Sequence, residues 1–129
     1  MTVTGNRWEV RLYETAAGRV PVLEFLLGLP ARHRARVRQA IGRLETFGPG
    51  LGFPDTSTVK GASFRELRTR FAGQQYRVLY LQDAEEFVLF QGFHKTHDKD
   101  LDRAVAEATR FLADYRARKG GCALCQRDD

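Results

Sequence analysis

Three runs rich in β-branched and aromatic residues, Phe64 to Phe71, Gln75 to Leu81 and Phe87 to Phe93, are separated only by Ala72-Gly73-Gln74 and Asp83-Ala84-Glu85-Glu86. This pattern predicts three consecutive strands. Connections this short leave no length for a crossover, so the strands must pair with their neighbours as an antiparallel meander. Strand alternation then places Glu66, Arg68 and Arg70 on one face of the first run. Arg77 shares a face of the second run with Leu79 and Leu81.

The segments around the meander have different periods. Residues 7 to 13 alternate, with Trp8, Val10 and Leu12 on one side, and predict a short first strand. From Val20 to Leu27 a short helix is expected, with Pro21 in the first turn, where its missing N–H costs nothing, and Gly28 and Pro30 stopping it. Val37, Ala40, Ile41, Leu44 and Phe47 recur at helical spacing across residues 31 to 47, and arginines fill the other faces. Gly48-Pro49-Gly50 ends that helix, and residues 49 to 63 read as a long connection with at most one short strand. Leu101, Val105, Ala108, Phe111, Leu112 and Tyr115 mark a last amphipathic helix, with acids at its start and Arg116, Arg118 and Lys119 at its end. The expected fold is a small α+β domain: N-terminal helices packed on a mostly antiparallel sheet, with a C-terminal helix added. A length of 129 residues fits one domain, expected over residues 1–120, with 121–129 as a flexible tail.

Composition matters mainly for partners. Residues 32 to 77 hold ten Lys or Arg against Glu45, Asp55 and Glu66 alone, while the whole chain carries a net charge of +5. Arginine outnumbers lysine 17 to 4, and its planar fork of donors suits bidentate contact with phosphate. A nucleic-acid backbone is the leading partner class, with a solvated basic face or an acidic protein partner as the plain alternative. No apolar run approaches the roughly 18 residues that span a bilayer, so no membrane is expected. The start of the chain lacks an apolar h-region, so a cytoplasmic location is expected. The two cysteines, Cys122 and Cys125, sit in the tail and build no disulfide framework.

The first candidate constellation is Arg68, Arg70 and Arg77 on adjacent strands, with Lys60 in the loop before and His94-Lys95-Thr96-His97 after the last strand. RNA cleavage by transesterification passes through a phosphorane of extra negative charge, so cations aimed at its oxygens stabilise the transition state above the ground state. Such a site needs no metal when the 2'-hydroxyl is the nucleophile. Strand arginines also serve as edge protection or in salt bridges. Glu66, His94, His97, Tyr76 and Tyr80 are the groups able to move protons, histidine having an intrinsic pKa near 6.5. Tyr76 and Tyr80 share a strand face with Val78 and read as core or rim; one of them, or Phe93, is also able to stack a base. His94-x2-His97-Asp98 with Cys122-x2-Cys125 is half of a structural zinc pattern on a tail, so no metal and no cofactor are expected.

The segment Phe64 to Tyr80 resembles the RelE/HigB superfamily of toxins, particularly its phage-derived HigB-like branch. Four stretches carry the likeness: Phe25-Leu26-Leu27-Gly28-Leu29-Pro30 before a basic helix, Phe64-Arg65-Glu66-Leu67-Arg68, Tyr76-Arg77-Val78-Leu79-Tyr80, and Gly92-Phe93-His94-Lys95-Thr96. The resemblance implies a RelE-like domain acting as the toxin of a type II toxin-antitoxin pair. It would be a metal-independent endoribonuclease that enters the ribosome, cuts translated mRNA and leaves a 2',3'-cyclic phosphate. It further implies a helix-turn-helix antitoxin as partner. By position it places the family's strand arginine on Arg77 and the basic residue that closes the last strand on Lys95; joined to the constellations above, this makes Arg77, Arg68, Lys95, Glu66 and His94 the catalytic candidates and Lys60, Arg70, Tyr76, Phe93 and His97 the candidate RNA contacts. Where some relatives carry a lysine as base, this chain has Glu66, which accepts a proton but repels phosphate. A non-catalytic nucleic-acid-binding module on the same scaffold is the alternative.

Overall fold

In the computed structural model, described over residues 8–121, the elements run β1 (Glu9–Leu12), α1 (Pro21–Leu27), α2 (Ala31–Phe47), a 3-10 turn (Gly48–Gly50), β2 (Thr56–Thr58), β3 (Arg65–Phe71), β4 (Gln74–Asp83), β5 (Glu86–His94) and α3 (Asp98–Gly121). The five strands form one mixed sheet in the order β1-β5-β4-β3-β2. All pairs are antiparallel except β1 with β5, which is parallel, with Val10 opposite Phe87 and Leu12 opposite Leu89. Only the long excursion through both helices and the meander allows that parallel pairing. The β3–β4 hairpin closes on Ala72 and Gly73, both at positive φ, the conformation whose twist matches that of the flanking strands.

Two apolar cores lie on opposite faces of the sheet. On one, Val22 and Leu26 of α1 and Val37, Ala40 and Leu44 of α2 pack against Leu67, Tyr76, Val78, Tyr80, Phe87 and Leu89. On the other, Ala104, Ala108 and Leu112 of α3 cover Leu79, Val88 and Phe90. The expected fold class holds, and the structure adds that α3 lies across the sheet from α1 and α2. The Arg34 guanidinium donates to the carbonyls of Leu26 and Leu29 at 2.9 and 3.0 Å, closing the C-terminal end of α1. Asp100 accepts from the amides of Thr96 and His97 and from the Thr96 hydroxyl, each at 2.8 Å, which fixes the start of α3 against the end of β5.

The register between β4 and β5 shifts at Leu79/Tyr80. Tyr80 faces Leu89, but Leu79 faces Gln91, so Phe90 is an extra residue in β5. A bulge of this kind reverses the alternation beyond it. Gly92 consequently turns toward α1, where a Cβ would overlap the Phe25 ring. No helix among the described residues is long and apolar enough to cross a membrane. The segment holding Cys122 and Cys125 lies outside the described residues.

Candidate nucleic-acid interface

Strand register assembles the basic cluster. Arg68 of β3 is opposite Arg77 of β4, and Arg77 is opposite Phe93 of β5, so three side chains stand in one row across the face that α3 partly covers. The rows on either side place Glu66 opposite Leu79 and Arg70 opposite Gln75. Helix α3 covers Leu79, while Arg70 lies exposed and Arg68 half-buried beyond it. The arginines therefore line the end of the sheet where α3 begins and its cover gives out.

Arg77 is the anchor of this cluster. Its side chain retains 5% of its accessible surface, and its Nε lies 3.4 Å from Oε1 of Glu66, itself at 12%. The guanidinium donates to the Tyr76 carbonyl at 3.2 Å and to Oε1 of Gln75 at 2.8 Å. The other carboxylate oxygen of Glu66 accepts from the Ser57 hydroxyl at 2.9 Å. Between Glu66 Oε1 and Arg77 Nε there is an electrostatic contact but no hydrogen bond, which leaves both atoms unsatisfied and buried. Burial pushes Arg77 below the ordinary guanidinium pKa; Glu66 opposes that shift, and the cations Arg68 and Arg70 reinforce it. An anion arriving here would relieve the crowding of like charges.

Beside the row is a cleft of about 430 Å³ lined by Arg43, Phe53, Pro54, Asp55, Arg68, Thr69, Arg70 and Arg77. It exists because β2 is only three residues long and pairs with β3 no further than Leu67, leaving the last half of β3 as an open edge. The turn before β2 folds over this edge, tied by the Arg68 amide to the Asp55 carbonyl at 2.7 Å. The Arg68 guanidinium carbon sits 5.3 Å from the Phe53 ring centroid, and Arg43 pairs with Asp55 at 3.4 Å.

The remaining expected site residues are distributed more widely. Lys95 is held next to the cluster by its amide, which donates to the Gln75 carbonyl at 2.8 Å, with Nζ 3.7 Å from Asp98. Lys60 lies beyond the Thr58–Arg65 pair, at the far end of β3 from Arg70. His97 is exposed, and its amide serves the turn at the start of α3. His94 pairs with Tyr76 and so points to the face of α1 and α2, away from Arg77. There its ring lies 5.1 Å from that of Tyr76, whose hydroxyl is 2.7 Å from Nδ1 of His33. Burial raises the Tyr76 pKa.

Sequence reasoning passed over His33, Arg43, Phe53 and Gln75. His33 lies one helical turn before Val37 on the buried stripe of α2, and that spacing was a usable signal. Nothing local marks Arg43, Phe53 or Gln75, because the cleft forms from segments distant in the chain.

A mixed sheet between helices, carrying an arginine cleft at its open edge, defines a small α+β domain of the RelE-like kind. The family model of phage-derived Gp49-like proteins (DUF891) matches residues 24–113, from α1 into α3, and the chain belongs to that family, a member of the RelE/HigB-like toxin superfamily. No curated protein matches the chain.

Proposed function

We propose that this chain is the toxin of a type II toxin-antitoxin pair of the HigB-like kind, a ribosome-dependent endoribonuclease that cuts translated mRNA without a metal. Residues 1–120 form its single domain, the cytoplasm is its place of action, and a helix-turn-helix antitoxin is its partner. The observation that carries this reading is the row of Arg68, Arg77 and Phe93 beside Arg70: convergent cations at an open sheet edge, in a family of toxins.

In the reaction the 2'-oxygen bonds to the adjacent phosphorus, its proton passes to a base, and the bond to the 5'-oxygen breaks. That oxygen takes up a proton, leaving a 2',3'-cyclic phosphate and a 5'-hydroxyl. Arg68 and Arg70 contact the phosphate oxygens directly. Arg77, fixed by Gln75 and the Tyr76 carbonyl, adds charge that is already ordered before the substrate arrives, and preorganised charge is what favours the transition state. Glu66, hydrogen-bonded to Ser57 and set against Arg77, orients that arginine. Lys95 lies where the RNA leaves the sheet.

A specific observation favours the second reading, a binding module without catalysis: His94 faces α1 and α2, and Glu66 on the arginine face is already engaged by Ser57 and Arg77. One experiment separates the two. Purified protein is added to programmed ribosomes and to free mRNA, and the new ends are mapped and their chemistry read. The expected result is cutting on the ribosome alone, a cyclic phosphate, and a loss of about 100- to 1000-fold in Arg77→Ala. No cutting by a sample that melts cooperatively would establish the binding module instead.

A further inference from the structure

Phe53 carries the largest exposed apolar surface on the described molecule, with 77% of its area in contact with water. It does not hang on a loose loop. The amides of Asp55 and Thr56 both donate to the Gly52 carbonyl, at 2.9 and 3.1 Å, closing a tight turn around Phe53 and Pro54. Buried Thr56 fastens this turn from below, donating to the Leu51 carbonyl at 2.9 Å and accepting from Arg65 at 2.8 Å. The Arg68 amide holds it to β3. A rigid support that offers a phenyl ring to water costs apolar hydration, and the Arg68 guanidinium on one face is only a partial return for it.

The surroundings of the ring indicate what it receives. One face is backed by the Arg68 guanidinium at 5.3 Å, a gap too narrow to admit another flat group, so a ligand stacks on the open face. The ring borders the cleft of about 430 Å³, a volume suited to one small ligand. Arg43, Arg68, Arg70 and Arg77 give that cleft an excess of positive charge, and Arg77 lies beneath it with a buried, unsatisfied Nε. An anion joined to a flat aromatic group matches both halves of the site.

We propose that Phe53 forms a nucleobase subsite: it stacks one base of a single-stranded RNA whose adjoining phosphate rests on Arg68 and Arg70. Together with Phe93 at the other end of the row, it brackets Arg68 and Arg77 between aromatic rings. This rests on reading the arginine face as an RNA surface, and it adds a residue that holds the nucleotide next to the reacting phosphate. Stacking tolerates any base, so Phe53 supplies grip and register, not base identity.

The test is fluorescence anisotropy with a labelled RNA heptamer whose 2'-O-methyl groups block the attacking oxygen, so binding is read without cleavage. Phe53→Ala and Phe53→Leu are expected to weaken binding by about 5- to 150-fold, and Phe53→Trp to retain it. Heptamers carrying a single abasic position are then scanned. One position must weaken wild type by the same factor and cost Phe53→Ala nothing further, a coupling that a merely structural role does not produce. The side chain is exposed, so the variants should melt within a few degrees of wild type. Equal binding by wild type and Phe53→Ala, no coupled abasic position, or no binding of the heptamer by wild type overturns the subsite. Coupled binding without any mRNA cutting by wild type leaves the subsite standing and removes the toxin reading. Cutting with Phe53-independent binding does the reverse.

Discussion

Replacing Glu66 with Gln keeps the shape of the side chain and removes the charge that faces Arg77. The two groups are 3.4 Å apart, and at an effective dielectric of about 20 that separation corresponds to roughly 5 kcal/mol of attraction. Part of it is recovered. The amide oxygen of Gln still presents a dipole to Nε, the Tyr76 carbonyl and Gln75 keep their bonds to the guanidinium, and the neighbouring cleft lets water approach Arg77. Removing one partner of a buried pair costs about 3–5 kcal/mol, and the missing hydrogen bond places this pair at the low end, about 3 kcal/mol. For a domain of this size each kcal/mol moves Tm by roughly 3–5 °C, so Glu66→Gln should melt about 10 °C below wild type. Urea denaturation followed by circular dichroism gives the free energy, and calorimetry the midpoint. The double variant Glu66→Gln/Arg77→Met removes both charges and should regain most of the loss, because the cost arises from an uncompensated cation and not from missing volume. A Glu66→Gln protein melting within about 2 °C of wild type would refute the argument, since Arg77 would then find its compensation elsewhere.

Three further outcomes are expected. Gly92→Ala drives a methyl group into the Phe25 ring and should cost about 1–3 kcal/mol in urea titrations, and Phe25→Ala in the same chain should relieve part of that loss. The Asp100 carboxyl is held at about 2, below its ordinary 3.8, by the amides of Thr96 and His97 and the Thr96 hydroxyl. A depressed folded-state pKa contributes stability that is complete above about pH 4 and lost as pH falls through 2. The Tm of Asp100→Ala should therefore lie below wild type at neutral pH and converge on it as pH approaches 2. Tyr76→Phe deletes the hydroxyl 2.7 Å from His33 Nδ1 and should cost about 1 kcal/mol in the same titrations, with the arginine face unchanged.

The elements themselves were legible because they are written in local periods. Proline at the first turn of α1, glycine after it, the 3.6-residue stripe of α2 and the alternation of β3 to β5 each act over a few residues. The basic cluster was legible in part for the same reason: short connections force β3 to lie beside β4, and that brings Arg68 and Arg77 together. The facing of His94 was not. Without the bulge at Phe90 the hairpin register would carry on unchanged, placing His94 opposite Gln75 on the arginine face; one extra residue turns it to Tyr76 and His33. Whether a strand bulges depends on the packing of Phe90 against Phe64 and Tyr13 and of Gly92 under Phe25, contacts made by residues far apart in the chain. The cleft shows the same division. Its arginines can be counted in the sequence, but the shortness of β2, the turn that carries Phe53 onto Arg68, and the burial of Arg77 against Glu66 arise only when the sheet is closed. Local periods set which residues become strand or helix; the long-range register sets which side chains share a site.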